Sequence, residues 1–287
     1  MNSEISVYVP AFNAEKTIEI CINSILKQTI KPHEILVIDD CSSDKTVEIL
    51  NNFGDKIKVI QNEVNLGLSQ SMNIATDNLS TRYVAKIDAD VELATDWIDI
   101  LLKKINQEQA TLIGGKMYEK YLKNSFNFWR SIRLKQNWGE KNLSDPKFVF
   151  GCNNILDTKK IPNIKKYRDD LDYFRTNGED IEFSNYLKRT NNKLFYSSEA
   201  ICFHLQNDNG FTLSQRYWRY VHYGDGLKKR NFFKTIKNII RQFKRLIKWS
   251  VSDILNNRYR LLKVNFIIFY YFAIIDFKFY LKNRNKF

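Results

Sequence analysis

Over its first 115 residues the chain alternates short apolar runs with amphipathic segments, and this rhythm constrains the fold more than any other feature. ISVYVP (5–10), EILVID (34–39), IKVIQN (57–62), YVAKID (83–88) and ATLIGG (110–115) each read as a strand. Between them lie segments of helical period. One starts at about Glu15, with Ile18, Ile22, Ile25 and Leu26 on one face. SSDKTVEILNNF has Ser43 or Asp44 as its N-cap, LSQSMNIATDNL follows, and TDWIDILLKKI has Thr95 or Asp96 as its cap. Strands alternating with helices of this length predict an α/β fold, a mostly parallel central sheet with helices on both faces.

In such sheets ligands bind at the carboxyl ends of the strands. That rule gathers the polar residues onto one rim: Pro10 to Asn13 after the first strand, Asp39 and Asp40 after the second, Asp88 and Asp90 after the fourth. An isolated D-x-D is usually a solvated turn, but three such clusters at strand ends are harder to dismiss. Two acids one residue apart tolerate each other when something positive sits over them. Mg²⁺ or Mn²⁺ prefers oxygen donors and is held by one or two carboxylates plus substrate phosphates. Asp90 is the candidate ligand, and Asp88 a candidate acceptor for a ribose hydroxyl. Phe12 offers either an aromatic face to a nucleobase or ordinary core packing. Asp40 can accept a base N–H, and helix capping explains one of Asp39 and Asp40 but hardly both.

After Gly115 the alternation loosens. FNFWRSIRLKQNW looks helical, KFVFGCNNIL looks like a strand broken by Gly151, and GEDIEFSNYLKR opens a helix with acids in its first turn. NKLFYS and AICFHL read as two short strands, and helix dominates from about Leu213, beginning with LSQRYWRYVHYGDGLKK. The net charge of +13 is concentrated there, since Asp225, Asp253 and Asp276 are the only acids from Arg216 onward. An anionic partner is therefore expected for the tail. The four cysteines are scattered without a C-x-x-C pair, which argues against a zinc site or disulfides and for a reducing cytosol. No signal peptide is visible, and the longest apolar run, FIIFYYFAII (266–275), falls short of the ~20 residues that span a bilayer.

VYVPAFNAEKTIEICINSILKQT, HEILVIDDCSSDKT, NLGLSQSMN and KIDAD, followed by GCNN (151–154) and GED (178–180), resemble in order the family 2 glycosyltransferases of GT-A fold, across roughly residues 3–205. The resemblance implies inverting transfer of one sugar from a nucleotide diphosphate sugar, UDP favoured, with a divalent metal. It implies a nucleotide pocket lined by Pro10, Ala11, Phe12, Asn13 and Glu15, with Asp40 on the base and Asn65, Gly67, Asn73, Lys86 and Asp88 beside the nucleotide. It puts Asp90 nearest the metal, with Asp88, and His204 where some relatives place a metal-binding histidine; a structural histidine is the competing reading. Asp180 matches the general base, while Gly151, Asn153, Asn154 and Glu179 would shape the acceptor site. Phe12 stands where tyrosine is common in the family.

Two halves of a catalytic region, 1–115 for nucleotide and 116–212 for acceptor, are expected before a basic amphipathic helical region at 213–287. Arg216 is a candidate for an acceptor's phosphate, against the plainer reading of a solvated arginine. The acceptor would be a glycan or a lipid-linked sugar. A nucleotidyltransferase should carry a glycine-rich loop after strand one, and PAFNAEK has none. A processive synthase should carry Q-x-x-R-W and several spans, whereas QRYWR (215–219) has those letters in another order. A non-enzymatic binder of nucleic acid leaves the acidic rim unexplained, so no nucleic acid is expected. FFKTIKNIIRQFKRLIKW sets Phe233, Ile236, Ile239 or Ile240, Phe243, Leu246 and Ile247 mainly on one face, suited to an anionic membrane surface. Packing on the core or a homodimer competes with that reading. The expected place is the cytoplasm, peripheral on the inner face of the membrane.

Overall fold

The computed structural model describes residues 4–161, 178–222 and 231–283. These fall into two compact units, one within Met1–Lys120 and Lys135–Leu205, the other within Tyr121–Leu134 and Gln206–Phe287. The second unit thus draws in the 121–134 segment and begins at residue 206, against a boundary expected at 212/213.

The first unit opens as the alternation predicts: β1 (Ile5–Ala11), α1 (Ile18–Leu26), β2 (Ile35–Asp39), α2 (Thr46–Asn51), β3 (Lys58–Gln61), α3 (Leu68–Asp77) and β4 (Tyr83–Ile87). β3, β2, β1 and β4 lie side by side and parallel. Because β1 and β2 are interior strands, both of their faces are apolar. Val7, Val9, Ile35 and Val37 pack with Ile18, Ile22 and Ile25 of α1, while Tyr8, Leu36 and Ile38 pack with Met72 and Ala75 of α3. This is the pattern of a sheet covered on both sides.

A three-residue strand, β5 (Val91–Leu93), follows β4 and was not foreseen. Then come α4 (Trp97–Gln107), whose Trp97, Ile98, Leu101 and Ile105 join the α1 core, and β6 (Leu112–Glu119). Beyond β4 the sheet is mixed. β8 (Asn153–Asp157) runs antiparallel between β4 and β6, and β9 (Leu194–His204) runs parallel to β6 and antiparallel to β5. The two-residue β7 (Leu143–Ser144) pairs with β9, and α6 (Glu179–Arg189) buries Phe183 and Leu187 against Leu112, Leu156 and Leu194.

Three expectations shift. α1 begins at Ile18 rather than at about Glu15, because residues 13–15 spend their backbone N–H groups on the side chains of Ser42, Thr46 and Asp44. α2 begins after Lys45, with Asp44 just outside it accepting from Thr46 N at 3.0 Å. NKLFYS and AICFHL form a single strand, β9. Its register against β6 jumps from Gly114↔Tyr196 to Lys116↔Ile201, so residues 197–200 bulge opposite Gly115. A Cβ on Gly115 would lie 2.6 Å from Ala200 O, so the bulge sits against a bare backbone.

The second unit is helical: α5 (Ser125–Arg133), α7 (Gly210–His222), α8 (Phe232–Leu255) and α9 (Arg260–Asn283). Trp129, Leu213, Tyr217, Trp218, Leu261, Val264, Ile268 and Phe272 form its core. The helix expected through Lys229 is seen as far as His222; residues 223–229 lie outside the described residues. The tail also corrects the reading of its apolar run. Arg260–Lys282 is a single helix long and apolar enough, by length and composition, to cross a membrane. Counting uninterrupted apolar residues missed it because Asn265 and Asp276 interrupt the run, yet both are buried in the unit's interior.

Candidate active site

The strand ends of the parallel half carry three stitched loops. After β1, Phe12 is 51 % exposed, which removes core packing as its explanation and leaves an aromatic face open at the rim. Asn13 takes the left-handed conformation at φ 50°, which asparagine tolerates, and its Oδ1 accepts from Ser43 N at 2.8 Å. Glu15 Oε2 accepts from Lys45 N at 3.2 Å. The loops after β1 and β2 are therefore tied by side chain to backbone hydrogen bonds, and the rim they form is preset.

Asp40 holds the third loop. Its Oδ1 accepts from Asn62 Nδ2 (2.9 Å) and Leu66 N (2.8 Å), and its Oδ2 accepts from Gly67 N (2.8 Å). Asn65 Nδ2 donates to its carbonyl at 3.2 Å. Gly67 stands at φ 89°, where a side chain would be strained, and opens α3, on which Asn73 is buried. A carboxylate has about four lone-pair sites, so the three donors on Asp40 leave it room for one more. Asp39, fully buried, accepts from Ser42 N at 3.2 Å through Oδ2, while its Oδ1 has no hydrogen-bond partner among the described residues. Neither acid caps α2, so capping explains neither.

The D-x-D turn is pinned from two sides: Asp88 N donates to Cys152 O (3.0 Å) and Leu205 N donates to Asp90 O (2.8 Å). The sheet register then brings three distant residues together, because His204 at the end of β9 pairs with Val91 of β5 on one side and Glu119 of β6 on the other. His204 Nε2 lies 3.3 Å from Asp90 Oδ2, and its Nδ1 lies 3.1 Å from Glu119 Oε2. A histidine oriented by one carboxylate and facing another is the arrangement that metal-binding histidines adopt. Glu119 is a residue that sequence reasoning missed.

The second focus is one buried ammonium among three carboxylates. Lys86 Nζ lies 2.9 Å from Asp88 Oδ1 and 3.8 Å from Glu179 Oε1, with Lys86 and Glu179 both buried. Asp180, beside Glu179 at the start of α6, accepts from Gly151 N at 3.1 Å through Oδ2 and from Ile181 N at 2.8 Å through Oδ1. Gly151 is where they converge: a Cβ there would lie 3.1 Å from Asp180 Cβ, 3.2 Å from Glu179 Oε1 and 3.3 Å from Lys86 Nζ. Burial pushes the Glu179 carboxyl up to about 7, with Asp180 adding to the rise and Lys86 opposing it. Burial also raises Asp180 above the ordinary carboxylate range, partly offset by the Gly151 hydrogen bond and Lys86. Asp88 is raised for the same first reason, with Lys86 the main opposing charge.

Pro10 and Ala11 are buried at the end of β1. Asn154, opposite Lys86 in the β4–β8 ladder, donates to Phe150 O and Gly151 O at 3.2 Å each and so fixes the Gly151 turn. Asn153, expected at an acceptor, has a fully buried side chain whose Oδ1 lies against Gly115. Arg216 belongs to the second unit, where its Nε lies 3.5 Å from Asp208 Oδ1. No group of three or more histidine, cysteine or acidic side chains forms a ready-made metal cage among the described residues.

A four-strand parallel half continued by a mixed half, with acids at the strand ends, is the architecture of the GT-A glycosyltransferase fold. The chain belongs to glycosyl transferase family 2, whose model matches residues 6–168. Glycosyltransferase GlyA of Streptococcus pneumoniae is 36% identical over 121 residues, 41% of this chain and 17% of that protein. The UDP-Glc:alpha-D-GlcNAc-diphosphoundecaprenol beta-1,3-glucosyltransferase WfgD of Escherichia coli is 41% identical over 87 residues, 30% of this chain and 34% of that protein. The matched stretch thus spans well under half the length of these relatives. Among solved structures, S. aureus TarS 1-349 in complex with UDP-GlcNAc superposes with a TM-score of 0.60 at 16% identity, covering 98% of this chain and 92% of that one. The mannosyltransferase PcManGT from Pyrobaculum calidifontis, in complex with GDP-Man and Mn2+, reaches 0.63 at 12% identity, over 96% and 87%.

Proposed function

We propose that the chain is an inverting glycosyltransferase that moves one sugar from a nucleotide diphosphate sugar to a hydroxyl of a glycan or lipid-linked acceptor. The observation that carries this reading is Lys86, which touches the D-x-D residue Asp88 and the acceptor-side Glu179 at once and so joins the two motifs at one rim. UDP is the favoured nucleotide, in line with the donors in the names of WfgD and the TarS complex. The WfgD name also prints a diphosphoundecaprenol acceptor, which supports a lipid-linked one here. A cytoplasmic site beside the membrane suits such substrates.

Asp180 acts as the base. Two backbone N–H groups fix its carboxylate, and its raised proton affinity suits it to take the proton of an acceptor hydroxyl. That oxygen bonds to the anomeric carbon as the bond to the diphosphate breaks on the opposite face, which inverts the centre. A positioned base contributes about 10²–10⁴-fold. Phe12 offers a face for the nucleobase, and the preset loops of Asn13, Glu15 and Gly67 border the nucleotide. Lys86 holds Asp88 and Glu179 in place between donor and acceptor.

Asp90 and His204 fit a divalent ion. They supply one oxygen and one nitrogen donor 3.3 Å apart, with Glu119 orienting the imidazole, and leave the remaining positions for diphosphate oxygens and water. Mn²⁺ or Mg²⁺ there would neutralise charge on the departing diphosphate.

Thermal unfolding with UDP, GDP and dTDP, each with and without Mn²⁺, tests this reading. A ligand at 100 times its Kd adds about 2.7 kcal/mol, a rise of several degrees in midpoint. The expected result is a rise with UDP that needs Mn²⁺ and vanishes in Asp90→Ala. No rise with any nucleotide, or a rise indifferent to Asp90→Ala, overturns it.

A further inference from the structure

α8 is seated in the second unit the wrong way round for a soluble helix. Its buried positions are polar: Thr235, Asn238, Gln242 and Asp253. Seven of its apolar residues, Phe233, Ile236, Ile240, Phe243, Ile247, Val251 and Ile254, are exposed, from 36% at Ile236 to 80% at Phe233, while Ile239, Leu246 and Trp249 are half-buried, Trp249 against the unit's core. Steps of three and four along the helix put them on one stripe. At 1.5 Å per residue that stripe runs about 31 Å. Phe243 meets Phe269 of α9 at 5.7 Å, and on the same side of α9 Phe266 and Tyr270 are exposed, which widens the apolar surface. An apolar patch of this extent on a water-facing surface marks a binding site.

Charge selects the occupant. Lys237, Arg241, Lys244 and Lys248 run along one edge of the stripe, and the only acid in α8, Asp253, is buried. Asp208 and Asp276, the other acids described in this unit, are buried too, so no acidic side chain is exposed on its described surface. A second copy would therefore set cations against cations. A nucleic acid would leave the aliphatic stripe in water. An anionic lipid surface satisfies both features, with the stripe in the headgroup and acyl boundary and the lysines at the phosphates.

We propose that α8, with the adjoining side of α9, lies in the plane of an anionic bilayer and docks the chain there. The proposal concerns binding alone and stands whether or not sugar transfer occurs. Flotation of the full chain with phosphatidylcholine vesicles containing about a third phosphatidylglycerol, beside pure phosphatidylcholine vesicles, tests it. The chain should float with the anionic vesicles and at least tenfold less with the neutral ones. Ile240→Asp with Ile247→Asp, and separately Lys237→Glu with Lys244→Glu, should each lower flotation at least tenfold. These positions are on the surface, so far-UV circular dichroism and the thermal midpoint should match the parent chain. A chain that does not float overturns the proposal, as does undiminished flotation of the aspartate variant, which would mean charge alone. A stable dimer in light scattering that the aspartate pair dissociates, without vesicle binding, overturns it in favour of a second copy.

Discussion

The two compact units both bury charge, but they balance it differently. In the second unit each buried acid among the described residues meets a basic side chain: Arg130 on Asp208, Arg133 and Arg258 on Asp253, and His222 Nε2 at 3.1 Å from Asp276 Oδ1. In the first, Lys86 lies amid Asp88, Glu179 and Asp180, carboxyls that hold their protons more tightly than usual. Removing one partner of a balanced buried pair breaks structure. Buried carboxyls with raised proton affinity are suited to handling a cation, a proton or a substrate hydroxyl. The contrast sets residues that hold the fold against residues proposed to work.

Substitutions sharpen it. Asp180→Asn keeps one oxygen to accept from Gly151 N and removes the base, so the transfer rate should fall about 10²–10⁴-fold with little change in the thermal midpoint; a rate within threefold of the parent would break the assignment. Asp253→Ala, in the balanced unit, should do the opposite. It strands Arg133 and Arg258, lowers stability by about 3–5 kcal/mol in urea unfolding, and leaves turnover per folded molecule unchanged.

The next effect is a pH slope. Glu179 in the fold takes up its proton near 7, against 4.5 ordinarily. Its protonated form contributes stability that is full below pH 4.5 and is lost as pH rises through about 7, on the order of 3 kcal/mol. Asp180, Lys86 and Asp88 are the charges that face it. Urea midpoints from pH 5 to 8 should fall in the parent chain and fall less steeply in Glu179→Gln, where the raised Asp180 and Asp88 remain; equal slopes in both would place the strain elsewhere. The smallest change is Asn231→Ala, which removes the N-cap that accepts from Lys234 N at 2.8 Å. It should lower stability by ~1 kcal/mol without touching transfer.

Much of this was legible in the residues. Short apolar runs and period-3.6 patterning located every strand and helix of the parallel half, because β1, β2 and β4 are buried on both faces and α1 and α3 each bury one. GED was legible as a helix start because acids gather at helix N-termini. Glu119 was not, because it reaches His204 from 85 residues away through a register that crosses the bulge at Gly115. Phe12 needed its exposure, since an aromatic after a strand reads equally as core. For α8 the sequence grouped the apolar residues on one side but could not say which side faces inward. That depends on Arg133 and Tyr217, far back in the chain, which meet Asp253 and Gln242 (Tyr217 Oη to Gln242 Oε1, 2.9 Å).

The same inverted seating fixes how α8 can slide. A helix held by an apolar face can shift by a turn and find other apolar neighbours, losing little. Here such a shift, 5.4 Å along the axis, would carry Gln242 from Tyr217 and Asp253 from Arg133, Arg258 and Asn265 together. Each stranded buried group costs about 1–3 kcal/mol, more for the charges. The helix therefore has one longitudinal setting, keyed by four named polar contacts, and the pitch at which its outward stripe is presented is fixed with it.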